Sequence, residues 1–239
     1  LFSTPNAAIP SESVANKMEY VDKVQLSPEE NRQLAHININ LLVQTNALFE
    51  GIVVSLSQTQ AIMRGLGVNG VSLDDSNTIV QIKRGWDYIT QENAAISLQI
   101  EQNINLIVAK YDALIPGELR SGQGAVDIGD ENDWVPPMID EQAEEKWLTD
   151  LMASDKSTTE KAMRLMYHDM RQQIFWDGNK RSATLAANKV MIDGGAGLIN
   201  VPLTIWSEWN ELIAVYDKNG EVRPLLDWTY AHAVQGVKL

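Results

Sequence analysis

The run Phe175-Trp176-Asp177-Gly178-Asn179-Lys180-Arg181 brings together a carboxylate, a glycine, a side-chain amide and two cations. That combination can hold an anion. Glycine permits a positive φ, and a helix opening just after it presents backbone N–H groups that lack intrahelical partners, at the positive end of the helix dipole. A phosphate fits such a nest. Lys180 and Arg181 add formal charge beside it, and Asp177 offers an oxygen to a magnesium ion bridging phosphates. The tripeptide Asp-Gly-Asn alone favours a plainer reading, a capped turn with two solvated basic residues.

The elements that must position this loop are helical. Ala162, Leu165, Met166, Met170 and Ile174 keep helical spacing before it, and Ala183, Leu185, Ala186, Ala187, Val190 and Met191 continue after it. The loop is therefore a helix–loop–helix junction. Further helix starts are announced by Ser27-Pro28-Glu29-Glu30, by Ser57 with Gln60, by Ser72 with Asp75 and by Ser157 with Glu160. The pattern predicts helices over 28–49, 57–65, 73–93, 96–115, 140–154, 158–174, 179–193, 203–216 and 223–235. Between Pro116 and Pro137 the glycines Gly117, Gly122, Gly124 and Gly129 flank the alternation Ala125-Val126-Asp127-Ile128, which predicts a small β-hairpin or ordered flap.

Composition narrows the function. With 32 acidic against 19 basic residues and a net charge of −13, the chain is a poor partner for a nucleic-acid backbone, so anion binding must be local. Cysteine is absent, which excludes disulfides, thiol catalysis and cysteine-ligated metal. No apolar run is long enough to span a membrane, and the first ten residues lack the basic flank and apolar stretch of a signal peptide. Cytoplasm is the default location. The sequence starts at Leu1 rather than Met, as expected of a fragment.

The longer string around the loop resembles the signature of the Fic family, His-x-Phe-x-(Asp/Glu)-Gly-Asn-(Gly/Lys)-Arg-x-x-Arg, at Phe175, Asp177, Gly178, Asn179, Lys180 and Arg181. Glu50-Gly51 followed by Ser55-Leu56-Ser57 resembles the family's inhibitory helix and first core helix. Ser72-Leu73-Asp74 and the stretch from Lys83 to Ile89 resemble the next helix. Pro116-Gly117 through Arg120, with Pro136-Pro137, resembles the flap on which a protein target docks, here Arg120–Trp134. The resemblance implies an all-α Fic-domain helical bundle with a small β-hairpin flap and an N-terminal inhibitory helix. It divides the chain into an extended or disordered arm (1–26), an inhibitory helix region (27–52) and a Fic core (53–239).

The implied chemistry is adenylyl transfer from ATP with Mg²⁺ to a target hydroxyl, with Gly178, Asn179, Lys180 and Arg181 on the nucleotide, Asp177 on the metal, and Asp177, Asn179 and Arg181 in the catalytic set. In the family the signature histidine is the general base. Gln173 stands there instead, and an amide does not titrate near neutrality, so transfer is expected to be weak or absent. His168 is about 140° around the helix from Gln173 and cannot substitute; His36 and His232 belong to no motif. Thr184 replaces the second signature arginine, which weakens the expected grip on a triphosphate. In the inhibitory motif Asn46 takes the hydroxyl position while Glu50 and Gly51 are kept, so Glu50 must find another partner, Arg181 or a metal. Two other functions stay open: a hydrolase removing AMP, with Glu50 positioning water, and a non-catalytic nucleotide-binding or protein-interaction module. Dimerisation is common in the family.

Overall fold

Serine caps open five of the ten α-helices among the described residues. In the computed structural model, which describes residues 19–123 and 134–236, Ser27 accepts from Glu30 N and Glu30 answers on Ser27 N, opening α1 (Pro28–Ile37). Ser72 caps α4 (Leu73–Gln91) and Ser157 caps α7 (Thr158–Gln172) as the sequence predicts. Each such cap contributes roughly 0.5–2 kcal/mol. The box assigned to Ser57 and Gln60 is displaced. Ser55 and Gln58 form it instead, because they have the same spacing one half-turn earlier, and α3 runs Leu56–Met63.

The helix predicted over 28–49 is two helices, α1 and α2 (Ile39–Leu48), divided at Asn38. Asn38 donates its side-chain amide to Leu34 O at 2.9 Å, competing with the main-chain ladder. The helix predicted over 96–115 stops early: α5 is Leu98–Val108, since the Val108 carbonyl accepts from the Arg181 guanidinium at 2.6 Å rather than from a further helical turn. There follow α6 (Glu141–Ala153), α8 (Asn179–Asp193), a 3₁₀ turn at Leu203–Ile205, α9 (Trp206–Asn219) and α10 (Arg223–His232). The helix predicted to reach 235 ends at His232, and Val234-Gln235 (β2) pairs antiparallel with Leu198-Ile199 (β1). The fold is all-α, with this one small sheet among the described residues. No helix among the described residues is long and apolar enough to cross a membrane.

Helix α8 is the axis of the bundle. Its alanine-rich sequence lets α7, α5, α4 and α1 pack around it, and Ala183, Leu185, Ala187, Met191 and Ile192 are wholly buried. The buried Lys189 is held by Asp193 at 2.7 Å and by Glu92 O at 2.7 Å. Of the predicted arm, the described residues 19–26 lie against the core: Tyr20 donates to Asp227 Oδ1 at 2.6 Å, and Asp22 Oδ1 accepts from both Thr159 N and Thr159 Oγ1 at 2.7 Å. The centre of the flap predicted between Arg120 and Trp134, residues 124–133, lies outside the described residues. Its leading edge is described, with Leu119 bridging antiparallel to Phe175.

Candidate functional site

The junction between α7 and α8 is built by three residues that end one helix and start the next. Gln173 leaves α7 with φ 51°, the one positive φ among the described non-glycine residues. Gly178 takes φ 69°, and a Cβ there would meet Ala109 Cβ at 2.8 Å, so both torsion and space require glycine. Asn179 folds the loop onto itself. Its Oδ1 accepts from Phe175 N at 2.9 Å, and its Nδ2 donates to Phe175 O and to Gln173 Oε1, each at 3.0 Å. Gln173 Nε2 donates to Met170 O at 2.6 Å, so both ends of that amide are engaged.

No side chain caps the N-terminus of α8. Asp177 is exposed, with Oδ1 accepting from Gly178 N at 2.6 Å. Arg181 is completely buried. Its Nη1 donates to Val108 O at 2.6 Å and pairs with Asp112 Oδ2 at 2.8 Å. Its Nε stands 2.7 Å from Glu50 Oε1, an ion pair in which the N–H is not aimed at the oxygen, and neither Nε nor Nη2 makes a hydrogen bond among the described residues. Nη2 lies beside Gly178, 3.4 Å from where a Cβ would sit. Burial pushes the Glu50 carboxyl above its ordinary range; Arg181 opposes that shift and the nearby Asp177 and Asp112 add to it.

The structure thus brings Gln173, Asp177, Gly178, Asn179, Arg181 and Glu50 into one site. Gly51 closes the end of α2 in a left-handed turn. Asn46 is elsewhere: it is buried one turn earlier on α2, where Oδ1 accepts from Trp86 Nε1 at 2.9 Å. Lys180 leans toward α9, 6.0 Å from the Trp209 ring centroid. Thr184 donates to Lys180 O at 2.9 Å within its own helix. His168 is stacked on Trp147 with centroids 3.5 Å apart and bonded to Glu144 Oε2 at 2.7 Å, away from the loop.

Sequence reasoning missed two contributors. Asn105 on α5 is fully buried; it donates to Asp177 O at 2.8 Å and Ser182 Oγ at 3.0 Å, and accepts from Gly117 N at 2.9 Å. Its helical spacing with Leu98 and Val108, a face it shares with Glu101, is the signal that could have found it as a buried polar residue. Asp217 on α9 is buried with Oδ1 unpartnered, and burial pushes its carboxyl up to about 6 against the pull of Lys180 and Arg171. Nothing in its sequence neighbourhood marks it.

Among the described residues no group of three His, Cys, Asp or Glu side chains is arranged to hold a metal. A divalent ion at Asp177 would need phosphate oxygens to complete its shell.

Comparison with known proteins converges on one family. Residues 96–191 match the model of the Fic/DOC family. The chain is 24% identical over 207 residues to protein adenylyltransferase fic-1 of Caenorhabditis briggsae, covering 83% of this chain and 40% of that protein. It is 26% identical over 190 residues to protein adenylyltransferase Fic of Drosophila ananassae, covering 74% and 36%. The chain therefore spans about two fifths of the length of these relatives. Among solved structures, a Fic domain-containing signaling protein of Bacteroides thetaiotaomicron aligns with TM-score 0.72 at 19% identity over 86% of both chains. Fic-1 of Caenorhabditis elegans aligns with TM-score 0.69 at 22% identity, over 85% of this chain and 62% of that one. With the loop geometry and the bundle in agreement, this chain carries a Fic domain, matched over residues 96–191.

Proposed function

We propose that this chain binds a nucleotide through the loop from Asp177 to Arg181 and descends from protein adenylyltransferases, with transfer itself weak or absent. The observation that carries the reading is Arg181 Nη2, a buried cationic donor with no hydrogen-bond partner among the described residues, beside the uncapped N-terminus of α8. A buried donor left unbonded costs about 1–3 kcal/mol, and a phosphate oxygen would remove that cost. Gly178 and Asn179 bring the backbone close, and Asp177 is exposed where a magnesium ion could bridge phosphates. Two relatives carry the name protein adenylyltransferase, which supplies the reaction class.

Such a reaction joins a target hydroxyl oxygen to the α-phosphorus of ATP, breaks the bond to pyrophosphate, and releases the hydroxyl proton to a base. Gln173 cannot take that proton, and its amide is already committed to Met170 and Asn179. A target segment would dock on the flap by strand addition, next to the described bridge of Leu119 to Phe175.

Titration calorimetry with ATP, ADP and AMP in Mg²⁺ tests the reading, with Asn179→Ala as control. Saturable heat lost in the control is expected. No heat from any of the three nucleotides would overturn it.

A second reading, hydrolysis of a phosphate-linked AMP from a modified protein, is favoured by Glu50, whose carboxyl is held near Arg181 with its affinity for a proton raised. Glu50 would orient the attacking water and a metal at Asp177 would polarise the phosphate. An AMP-modified peptide left intact in Mg²⁺ or Mn²⁺ would dismiss it.

A further inference from the structure

The last carbonyls of a helix have no intrahelical donors, and at the end of α7 every one of them from Asp169 to Ile174 can be assigned. Asp169 O accepts from Gln173 N at 3.0 Å. Met170 O accepts from Gln173 Nε2 at 2.6 Å. Arg171 O accepts from Trp134 Nε1 at 2.8 Å. Gln172 O and Gln173 O accept from Arg120 Nη2 at 3.2 Å and Arg120 Nε at 2.8 Å, and Ile174 O accepts from Arg120 N at 2.8 Å.

Arg120 is 3% exposed, and the same guanidinium reaches two further carbonyls, Gly122 O at 2.5 Å and Pro137 O at 2.8 Å. One planar fork therefore ties the segment after Leu119 and the segment after Trp134 to the turn that carries residue 173. The described flank also lies against the signature loop, since a Cβ on Gly122 would meet Trp176 Cη2 at 2.7 Å. The charge is well placed, because a cation at a helix C-terminus is favoured by the dipole. Gln173, by contrast, is in the left-handed backbone region, which disfavours a non-glycine residue. Something must hold it there.

We propose that Arg120 is the positioning residue for position 173: by binding the Gln172 and Gln173 carbonyls it fixes the left-handed turn and so aims the side chain at 173 onto Asn179. Its Nε, Nη1 and Nη2 all donate to backbone carbonyls. The inference rests on the nucleotide reading only for what residue 173 faces. Lysine cannot replace it, because a single ammonium lacks the fork that spans four carbonyls.

The test uses the full chain and NMR of the Gln173 side-chain and backbone amides, in wild type, Arg120→Lys and Leu225→Ala. The last is a buried α10 position that serves as a stability control, and spectra of both variants are compared at equal distance below their own Tm. Arg120→Lys is expected to shift the Gln173 side-chain amide and to speed exchange of the Gln173 N–H at least tenfold beyond any change in Leu225→Ala. Gln173 signals that match wild type, or move no further than in Leu225→Ala, would overturn the proposal. Should Arg120→Lys not fold, the wild-type Arg120 Nε–H decides: protection in step with Gln173 N–H supports it, and exchange at the rate of a free arginine overturns it. A parallel ATP titration keeps the two readings apart, since absent nucleotide binding removes the proposed ligand while the Gln173 signals still report on Arg120.

Discussion

Glu50 Oε1 lies 2.7 Å from Arg181 Nε, and the two partners differ in burial: the arginine side chain is wholly enclosed while the glutamate keeps 30% of its surface exposed. The pair can therefore open in one direction only. Glu50 can swing toward solvent, whereas Arg181 is pinned by Val108 O and Asp112. With Thr184 in place of a second arginine, the arginine next to the proposed phosphate nest is also the one that Glu50 engages. Anything anionic that takes Arg181 must compete with Glu50 or share it.

Glu50→Gln removes the competing charge with little change of shape. ATP affinity is expected to rise roughly fivefold to twentyfold, within the usual range of coupling between sites. The same substitution should raise Tm more at pH 7 than at pH 4.5. Burial raises the Glu50 carboxyl above its ordinary range, so the folded state binds the proton more tightly than the unfolded state and loses stability as pH climbs through that range. An unchanged ATP Kd would show that Glu50 does not guard the loop.

Gln173→His supplies a titrating group at a position whose backbone turn is already formed. If the loop holds ATP as proposed, transfer of labelled AMP to protein should increase by about 10²–10⁴, the typical contribution of a general base. Nucleotide affinity should change far less, because the residue 173 side chain meets the Asn179 amide and Met170 O rather than Arg181. Equal labelling by parent and variant would argue that position 173 takes no part in proton transfer.

Much of this architecture is legible in the sequence, because periodic apolar spacing and serine caps are local signals. Ser72 and Ser157 open the helices expected of them, and the signature loop lies at the predicted junction. Departures occur where a distant partner overrides local propensity. Asn38 breaks a helical pattern by bonding Leu34, and Arg181, far along the chain, ends α5 at Val108. Arg181 as the residue facing Glu50 is one of two options the sequence leaves open. The hub role of Asn105 was not legible, since its partners Gly117, Asp177 and Ser182 come from two other chain segments.

Asn105→Ala should unsettle the loop from beneath. It strips partners from the Asp177 carbonyl, the Ser182 hydroxyl and the Gly117 N–H. Each buried group left unbonded costs about 1–3 kcal/mol, partly recovered by water, so a net loss of roughly 2–4 kcal/mol is expected in urea unfolding. Nucleotide affinity should fall with it, because Asp177 and Gly178 lose their anchor to α5. A variant as stable as the parent would show that Asn105 fills space without bracing the loop.

The core also contains an acid pair that should make stability depend on pH. Glu101 on α5 and Asp169 on α7 are both buried and face each other, with Glu144 of α6 close by and bonded to His168. Burial pushes the Glu101 carboxyl up to about 8, and burial together with Glu101 and Glu144 drives Asp169 well above its ordinary value. Both groups hold protons more tightly in the folded chain than in the unfolded one. The folded state therefore gains from protonation below the carboxyl range, and stability falls as pH rises from about 4.5 through about 8. Glu101→Gln keeps a donor for Asp169 while removing one titrating group, so its Tm should fall less steeply across that window and exceed the parent's at pH 8.5. Thermal unfolding of both proteins at half-unit steps of pH measures this, and superimposable profiles would mean that the pair does not titrate in the folded chain.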